Sequence, residues 1–376
     1  MSTGELIAKK NVKGLTLKEL HEFVVSLDEP SFRARQLFDW LYVKETSSFD
    51  EMTSLSKSFR AKLQEIAYIE TLKLISAHQS RADGTTKFLF ELSDGKRIES
   101  VLIPAEPSDD DDHKKSKRLT LCVSTQVGCP LDCAFCATGT MGFLRNVSTG
   151  EILDQILQVR YAAQKRITNL VYMGMGEPLM NYENVMKSVE IITTGMGIAA
   201  RRITISTAGW ADAIKRMADE ERKVKLAVSL HTLDDRLRSQ LMPINKKFNI
   251  GKLIDAVRYY YRKTKQRVTY EYILFDGLND ADQDVHRLIK LARLVPCKIN
   301  IVPFHNIEFA RSNGRNGAAR PLPVTLEPAP PERVEKFIER LREAHITVMV
   351  RSSAGEDIGA ACGQLAILTP ALSEAG

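Results

Sequence analysis

The sequence predicts an α/β protein: a barrel-like parallel sheet, preceded by a small helical domain and a short β-rich connector. Three observations carry this prediction. From Leu119 onward, strand-like runs alternate with helix-like ones, the pattern of repeated βα units around a parallel sheet. The first seventy residues read instead as short amphipathic helices, with apolar side chains at helical spacing. Between the two regions, residues 72–104 shift to short extended runs punctuated by turn residues.

In residues 1–70, "TLKELHEFVVSL" begins at Thr16 as an N-cap. "PSFRARQLFDWLYV" opens with Pro30 in its first turn, and "SKSFRAKLQEIA" follows as a third helix. Residues 71–118 form the expected connector. Its runs "LKLISAHQ", "TKFLFEL" and "KRIESVLIP" are separated by "ADG" and "SDG", and "EPSDDDDHKKSKR" is a solvated loop too polar to bury. Residues 119–365 hold seven strand-like runs, "LTLCVST", "ITNLVYM", "RITIST", "VKLAVSL", "VTYEYIL", "CKINIVPF" and "ITVMV". The helix "STGEILDQILQVRYAA" carries a capping box in Ser148 and Glu151. Further helices are expected near 182–194, 211–219, 249–263, 281–294 and 331–344, and a tail at 366–376. In such barrels the loops at the C-terminal strand ends build the active site.

Composition narrows the function classes. A chain of 376 residues with 44% hydrophobic content can bury one large core and carry a smaller appendage. No run approaches eighteen consecutive apolar residues, and "MSTGELIAKKNVKG" lacks the features of an export signal, so a cytoplasmic protein with no membrane partner is expected. The net charge is +6, while residues 1–70 hold ten Lys and Arg against eleven Asp and Glu, so the surplus lies beyond them and suits an anionic partner. Candidate phosphate-binding groups are "YYYRKTKQR" at 259–267, Arg201 and Arg202, and the arginines of "ARSNGRNGAAR". The last stretch lies in a Pro- and Gly-rich surface loop, 308–330.

Four of the six cysteines fall in "CVSTQVGCPLDCAFCATG". In a reducing compartment such crowding points to metal binding or catalysis. Cys129, Cys133 and Cys136, spaced C-x3-C-x2-C, can converge three thiolates on one metal centre. A structural zinc site needs four ligands, which Cys122 could complete; a four-iron cluster held by three leaves one iron open. The motif, with Phe135 before its last cysteine, resembles the radical S-adenosylmethionine (SAM) superfamily. "YMGMGEPLMN", after the second strand, resembles that superfamily's glycine-rich SAM-binding segment, where absent Cβ atoms permit close approach of backbone to ligand. With "RRITISTAG", "VSLH", "LMPINKKFNI" and "ACGQL", almost the whole chain is similar to the RlmN/Cfr family of RNA adenine methyltransferases.

That resemblance implies a partial (β/α)6 barrel, a 4Fe-4S cluster on Cys129, Cys133 and Cys136, and two SAM molecules per turnover. It implies 23S rRNA and tRNA as substrates, an N-terminal RNA-binding accessory domain, an external electron donor for cluster and disulfide, and a monomer. Adenine C2 lies between two ring nitrogens and is too electron-poor to attack a methyl donor, so a radical route suits it. Cys362 is the implied carbon carrier: one SAM methylates its thiol, and a second yields the 5'-deoxyadenosyl radical that activates the resulting methyl. Cys122 is the implied resolving thiolate, and Glu99 the acidic residue near the target base, able to accept the C2 proton. Gly176, Glu177, Ser206, Ser229, Leu230, His231 and His305 are the implied SAM contacts. At His305 this chain departs from the pattern, because the family's Asn stands two residues after Pro and here Asn306 stands three after Pro303. The family holds a C2-methylating branch and a C8-methylating branch, and Pro178 tilts the reading toward the first. A zinc-stabilised RNA-binding module is the alternative from another class. Cys297, at a strand start, reads as a core residue.

Overall fold

A computed structural model describes residues 9–105, 118–307 and 325–367. The charged run at 106–117, the arginines at 311, 315 and 320, most of the 308–330 loop and residues 368–376 of the tail lie outside the described residues. The N-terminal region holds β1 (Lys10–Asn11), α1 (Leu17–Val25), α2 (Arg33–Tyr42), α3 (Lys57–Ile66) and β2 (Ala67–Tyr68). Thr16 caps α1 as its position suggests: its hydroxyl accepts from the Glu19 amide, and the Glu19 carboxylate accepts from the Thr16 amide. Pro30 stands one turn ahead of α2, its carbonyl accepting from Arg33 N at 2.9 Å.

These helices share one apolar core with the rest of the chain. Between them and the following helices, Lys13 pairs with Asp154, both side chains essentially sealed from solvent. The second Asp154 oxygen accepts from Leu72 N. A charge so deep is tolerated only because it is paired and hydrogen-bonded.

Next come β3 (Lys73–Gln79), β4 (Thr86–Glu91) and β5 (Arg97–Pro104), an antiparallel meander. The barrel region follows as β6 (Leu119–Cys122), β7 (Gln126–Gly128), α4 (Ala137–Thr140), β8 (Phe143–Asn146), α5 (Thr149–Ala163), β9 (Asn169–Tyr172) and α6 (Tyr182–Gly195). It continues as β10 (Ile203–Thr207), α7 (Ala211–Asp219), β11 (Lys225–Ser229), α8 (Asp235–Leu241), α9 (Ile250–Thr264), β12 (Val268–Ile273), α10 (Asp282–Leu294) and β13 (Cys297–Val302). It ends with α11 (Pro331–Glu343) and β14 (Val348–Val350).

Strands β6, β9, β10, β11, β12, β13 and β14 pair in that order, all parallel. Six of them are each followed by a helix, which gives the partial (β/α)6 barrel and a seventh strand. The meander is continuous with it: β5 pairs antiparallel with β6, making one ten-stranded mixed sheet. Ser148 and Glu151 form the capping box of α5, and Cys297 is buried at the start of β13. Parallel strands with helical returns place every strand's C-terminal end on one side. The sequence motifs gather there.

Candidate active site

The cysteine loop is a closed excursion from the barrel mouth. β7 and β8 pair antiparallel at its base, and Cys129 N donates to Gly142 O at 3.0 Å. Its middle is pinned to the end of α8 by Ala134 N donating to Leu241 O, and Cys136 N turns back to Cys133 O. Cys129, Cys133 and Cys136 all carry free thiols and line one cavity. Burial, followed by repulsion from Cys136, pushes Cys129 up to about 12, and burial and the neighbouring thiols push Cys133 well up. Burial likewise raises Cys136. Thiolates gathered this closely are stabilised by cationic metal, which the iron of an iron–sulfur cluster supplies; a three-thiolate set leaves one iron for another ligand. The donor set fits that group. Cys122 does not line that cavity; its charged neighbours are Cys362 and Arg351. Among the described residues no three His, Cys, Asp or Glu side chains are grouped to hold a single metal ion.

The glycine-rich segment follows β9 and packs onto the strand before the cysteine loop. Gly176 has φ +97°, and a Cβ there would lie 2.4 Å from Gln126 Cβ. Glycine is required because the chain meets itself at that point, before any ligand is considered. Gln126 Oε1 then accepts from Glu177 N at 2.8 Å. The Glu177 carboxylate is buried and accepts from Leu179 N at 3.1 Å and Ala208 N at 2.7 Å, tying the β9 and β10 loops together. Burial pushes this carboxyl up to about 7 against the pull of those amides.

On the opposite wall, His231 adopts φ +57° and is buried, with Phe135 edge-on at 4.5 Å. Its Nδ1 accepts from Ile273 N at 3.1 Å, and burial beside Arg238 pushes the ring down to about 3. The imidazole is therefore neutral, with its proton on Nε2. Arg238, wholly buried, donates to the carbonyls of Ala208, Ser229 and Leu230 and to Asn245 Oδ1. It staples the β10 and β11 loops, and its partner Asn245 explains part of the "LMPINKKFNI" motif.

Cys122 and Cys362 both lie near Arg351, one at a strand end and the other on the segment after the last strand. Cys122 ends β6, buried; Cys362 is exposed on the segment after β14, here termed the arm, and lines the same cavity as the cluster loop. The arm is docked by Ala137 N donating to Gly363 O at 2.7 Å and by the Thr138 hydroxyl donating to Leu365 O at 2.6 Å. Arg351 begins the arm, with its guanidinium beside Cys362, Glu271 and Cys122; those neighbours, Cys362 foremost, raise its pKa against burial. Arg351 Nη1 also donates to Met173 Sδ at 3.3 Å. Burial pushes the Cys122 thiol up to about 12, with Cys362 adding to the rise and Arg351 opposing it.

Gly176, Glu177, Ser206, Ser229 and His231 line the cavity with the three loop cysteines and Cys362. Two expected SAM contacts do not. Leu230, just past the end of β11, is fully buried and does not line the cavity, whereas its neighbours Ser229 and His231 do. His305 is buried with Nδ1 3.1 Å from Glu356 of the arm, outside the cavity wall. Glu99 lies under the arm rather than on an exposed strand: it is 5% exposed, and burial raises its pKa. Residues 259–267, and Arg201 and Arg202, immediately precede β12 and β10, so they stand at the opposite end of the barrel from the cavity. Sequence reasoning missed Arg351 and Glu271, which also line the wall. Neither sits in a recognisable motif.

A thiol triad on the first barrel loop, a glycine-rich segment on the second and a largely apolar cavity with a few polar groups between them define a radical SAM enzyme. The Radical SAM superfamily profile matches residues 123–289, and the ribosomal RNA large subunit methyltransferase N-terminal domain matches residues 10–69. A crystal structure of a radical SAM methyltransferase from Sphaerobacter thermophilus superposes with TM-score 0.82 at 40% identity, covering 94% of this chain and 98% of that one. A "Probable dual-specificity RNA methyltransferase RlmN" of Flavobacterium psychrophilum is 41% identical, over 96% of this chain and 98% of its own length. One of the same name from Thermotoga sp. (strain RQ2) is 45% identical, over 95% and 97%. The chain belongs to the RlmN family of radical SAM methyltransferases.

Proposed function

We infer that this enzyme methylates C2 of an adenine in 23S rRNA and in tRNA, consuming two SAM molecules per turnover. The observation that carries the reading is the convergence of Cys362 and Cys122 on Arg351 beside the three-thiol loop. The relatives' dual-specificity name and Pro178, which opens the turn after Glu177, favour the C2 branch over the C8 branch. Cluster and SAM, when bound, supply the radical and the methyl carbon. Cys129, Cys133 and Cys136 hold the cluster; Gly176, Glu177, Ser206, Ser229 and His231 shape the SAM site. Cys362 receives the carbon as a methyl thioether and carries it to the base. Glu99 accepts the C2 proton, and Cys122, once ionised, attacks the Cys362 sulfur. The S–CH2 bond breaks with its electron pair passing to the carbon and the ring, the carbon takes up a proton to become the methyl group, and the methylated adenine leaves behind a Cys122–Cys362 disulfide.

The cycle then needs an external reductant. Residues 1–70 form the RNA-binding accessory unit, 71–118 the connector, and 119–365 the catalytic core. Among the described residues no helix is long and apolar enough to cross a membrane. We place the enzyme in the cytoplasm, as a monomer. Anaerobically purified protein should be brown, with iron and sulfide each at roughly four per chain. Nucleoside mass spectrometry of reacted RNA should then show 2-methyladenosine. A colourless protein, or 8-methyladenosine alone, overturns the assignment.

A further inference from the structure

We propose that Lys87 is a positioning residue for this reaction, its single ammonium group setting the Glu99 carboxylate and the Cys362 arm in register with one another. The proposal rests on the reading of Glu99 as proton acceptor and Cys362 as carbon carrier. It begins with strand register. Lys87 pairs with Val101, Leu89 with Glu99, and Val101 with Cys122. Directly opposed residues of antiparallel strands share a face, as do residues two apart on one strand. Lys87, Val101 and Cys122 therefore form one row across three strands, and Glu99 is the next position on that face.

The contacts follow the row. Lys87 Nζ lies 3.3 Å from Glu99 Oε1 and donates to Gly359 O at 3.2 Å. Gly359, with φ +61°, and Gly363, with φ +85°, bracket Cys362, so the ammonium grips the arm at the bend just before the cysteine. The arm is fixed to the same hairpin a second time, by Gly355 N donating to Asp83 Oδ2 at 2.8 Å. The groups facing the Glu99 carboxyl are Lys87 from β4 and the Ala366 amide from the arm, while Ser124, beyond β6, donates to the Glu99 backbone carbonyl at 2.6 Å. Glu99 Oε2 is buried and has no hydrogen-bond partner among the described residues. That oxygen is an acceptor position.

In the step served, the C2–H bond breaks, the proton passes to the carboxylate and the bond pair stays with the ring. No electron leaves the pair of reactants. Only ionised Glu99 can accept the proton, and burial opposes ionisation. Loss of the ammonium should therefore move the acid limb of the rate profile to higher pH, since the carboxyl stays protonated over a wider range.

The test compares Lys87→Met, Lys87→Arg and Glu99→Gln holoenzymes on RNA carrying adenine deuterated at C2. Lys87→Met should retain iron and methyl-Cys362, slow RNA methylation by about tenfold or more, shift the acid limb upward and enlarge the deuterium isotope effect. Lys87→Arg should return limb and isotope effect toward the parent enzyme. Amides at 359–363 should exchange hydrogen faster in Lys87→Met and recover in Lys87→Arg. An unchanged limb and isotope effect, unchanged arm exchange, or loss of iron together with Cys362 methylation overturns the role of Lys87. Wild-type turnover by Glu99→Gln instead overturns the Glu99 reading itself, whatever Lys87→Met does.

Discussion

Cys122, at a strand end, and Cys362, on the terminal arm, share one neighbouring cation, Arg351. Burial pushes Cys122 up to about 12, which favours the neutral thiol, while Arg351 opposes the shift; in the proposed cycle Arg351 would favour the ionised form once Cys362 is a thioether. Cys122→Ala should therefore keep its iron and the methyl group on Cys362 yet stall with RNA covalently attached. A nuclease-sensitive band on a denaturing gel of protein from cells checks this. Cys362→Ala should give no band, having no carbon to attach. Normal turnover by Cys122→Ala, or loss of its iron, would make Cys122 a core residue or a ligand instead. At this scale the motif residues were legible, because C-x3-C-x2-C and G-x-G-E place chemistry by local spacing. Arg351, Glu271 and Lys87 were not. They lie on β-strands or at a strand end, and only cross-strand register brings them to the site.

At the scale of elements, the cysteine loop owes its shape to parts that carry no thiol. The β7–β8 ribbon closes its base, α8 holds its middle, and the arm covers its far end. Cys136→Ala should abolish iron binding and SAM cleavage while leaving the far-ultraviolet circular dichroism of the barrel unchanged, since these supports do not use the sulfur. Full SAM cleavage by that variant would sink the assignment of the loop. The βα alternation was readable from apolar periodicity, and helix starts from Thr16 and Ser148. The ribbon escaped notice because β7 and β8 are too short to show periodicity. Likewise, nothing local in 72–104 announced that the meander would extend the barrel sheet, because edge pairing is a non-local choice.

For the whole molecule, the buried Lys13–Asp154 pair joins the N-terminal helices to α5. Removing one partner leaves an uncompensated charge, and Lys13→Met should cost about 3–5 kcal/mol of stability, read as a lower denaturant midpoint. Lys13→Met combined with Asp154→Leu should recover part of the loss, because two apolar side chains leave no charge behind, although Leu72 N then loses its acceptor. A single variant as stable as the parent would show that the helices dock without the pair. Composition indicated one large core with an appendage, but it could not reveal that the appendage is stitched in by an ion pair.

The sheet is left open between its outermost strands, and the arm runs from the end of β14 at one border to the β3–β4 turn near the other. Among the described residues the arm follows every strand in the chain, so the ribosome makes it after them. In the proposed cycle, a growing chain would thus acquire the loops for cluster and SAM before it acquires Cys362. Methyl transfer to RNA would wait until the arm has been made and docked across the gap.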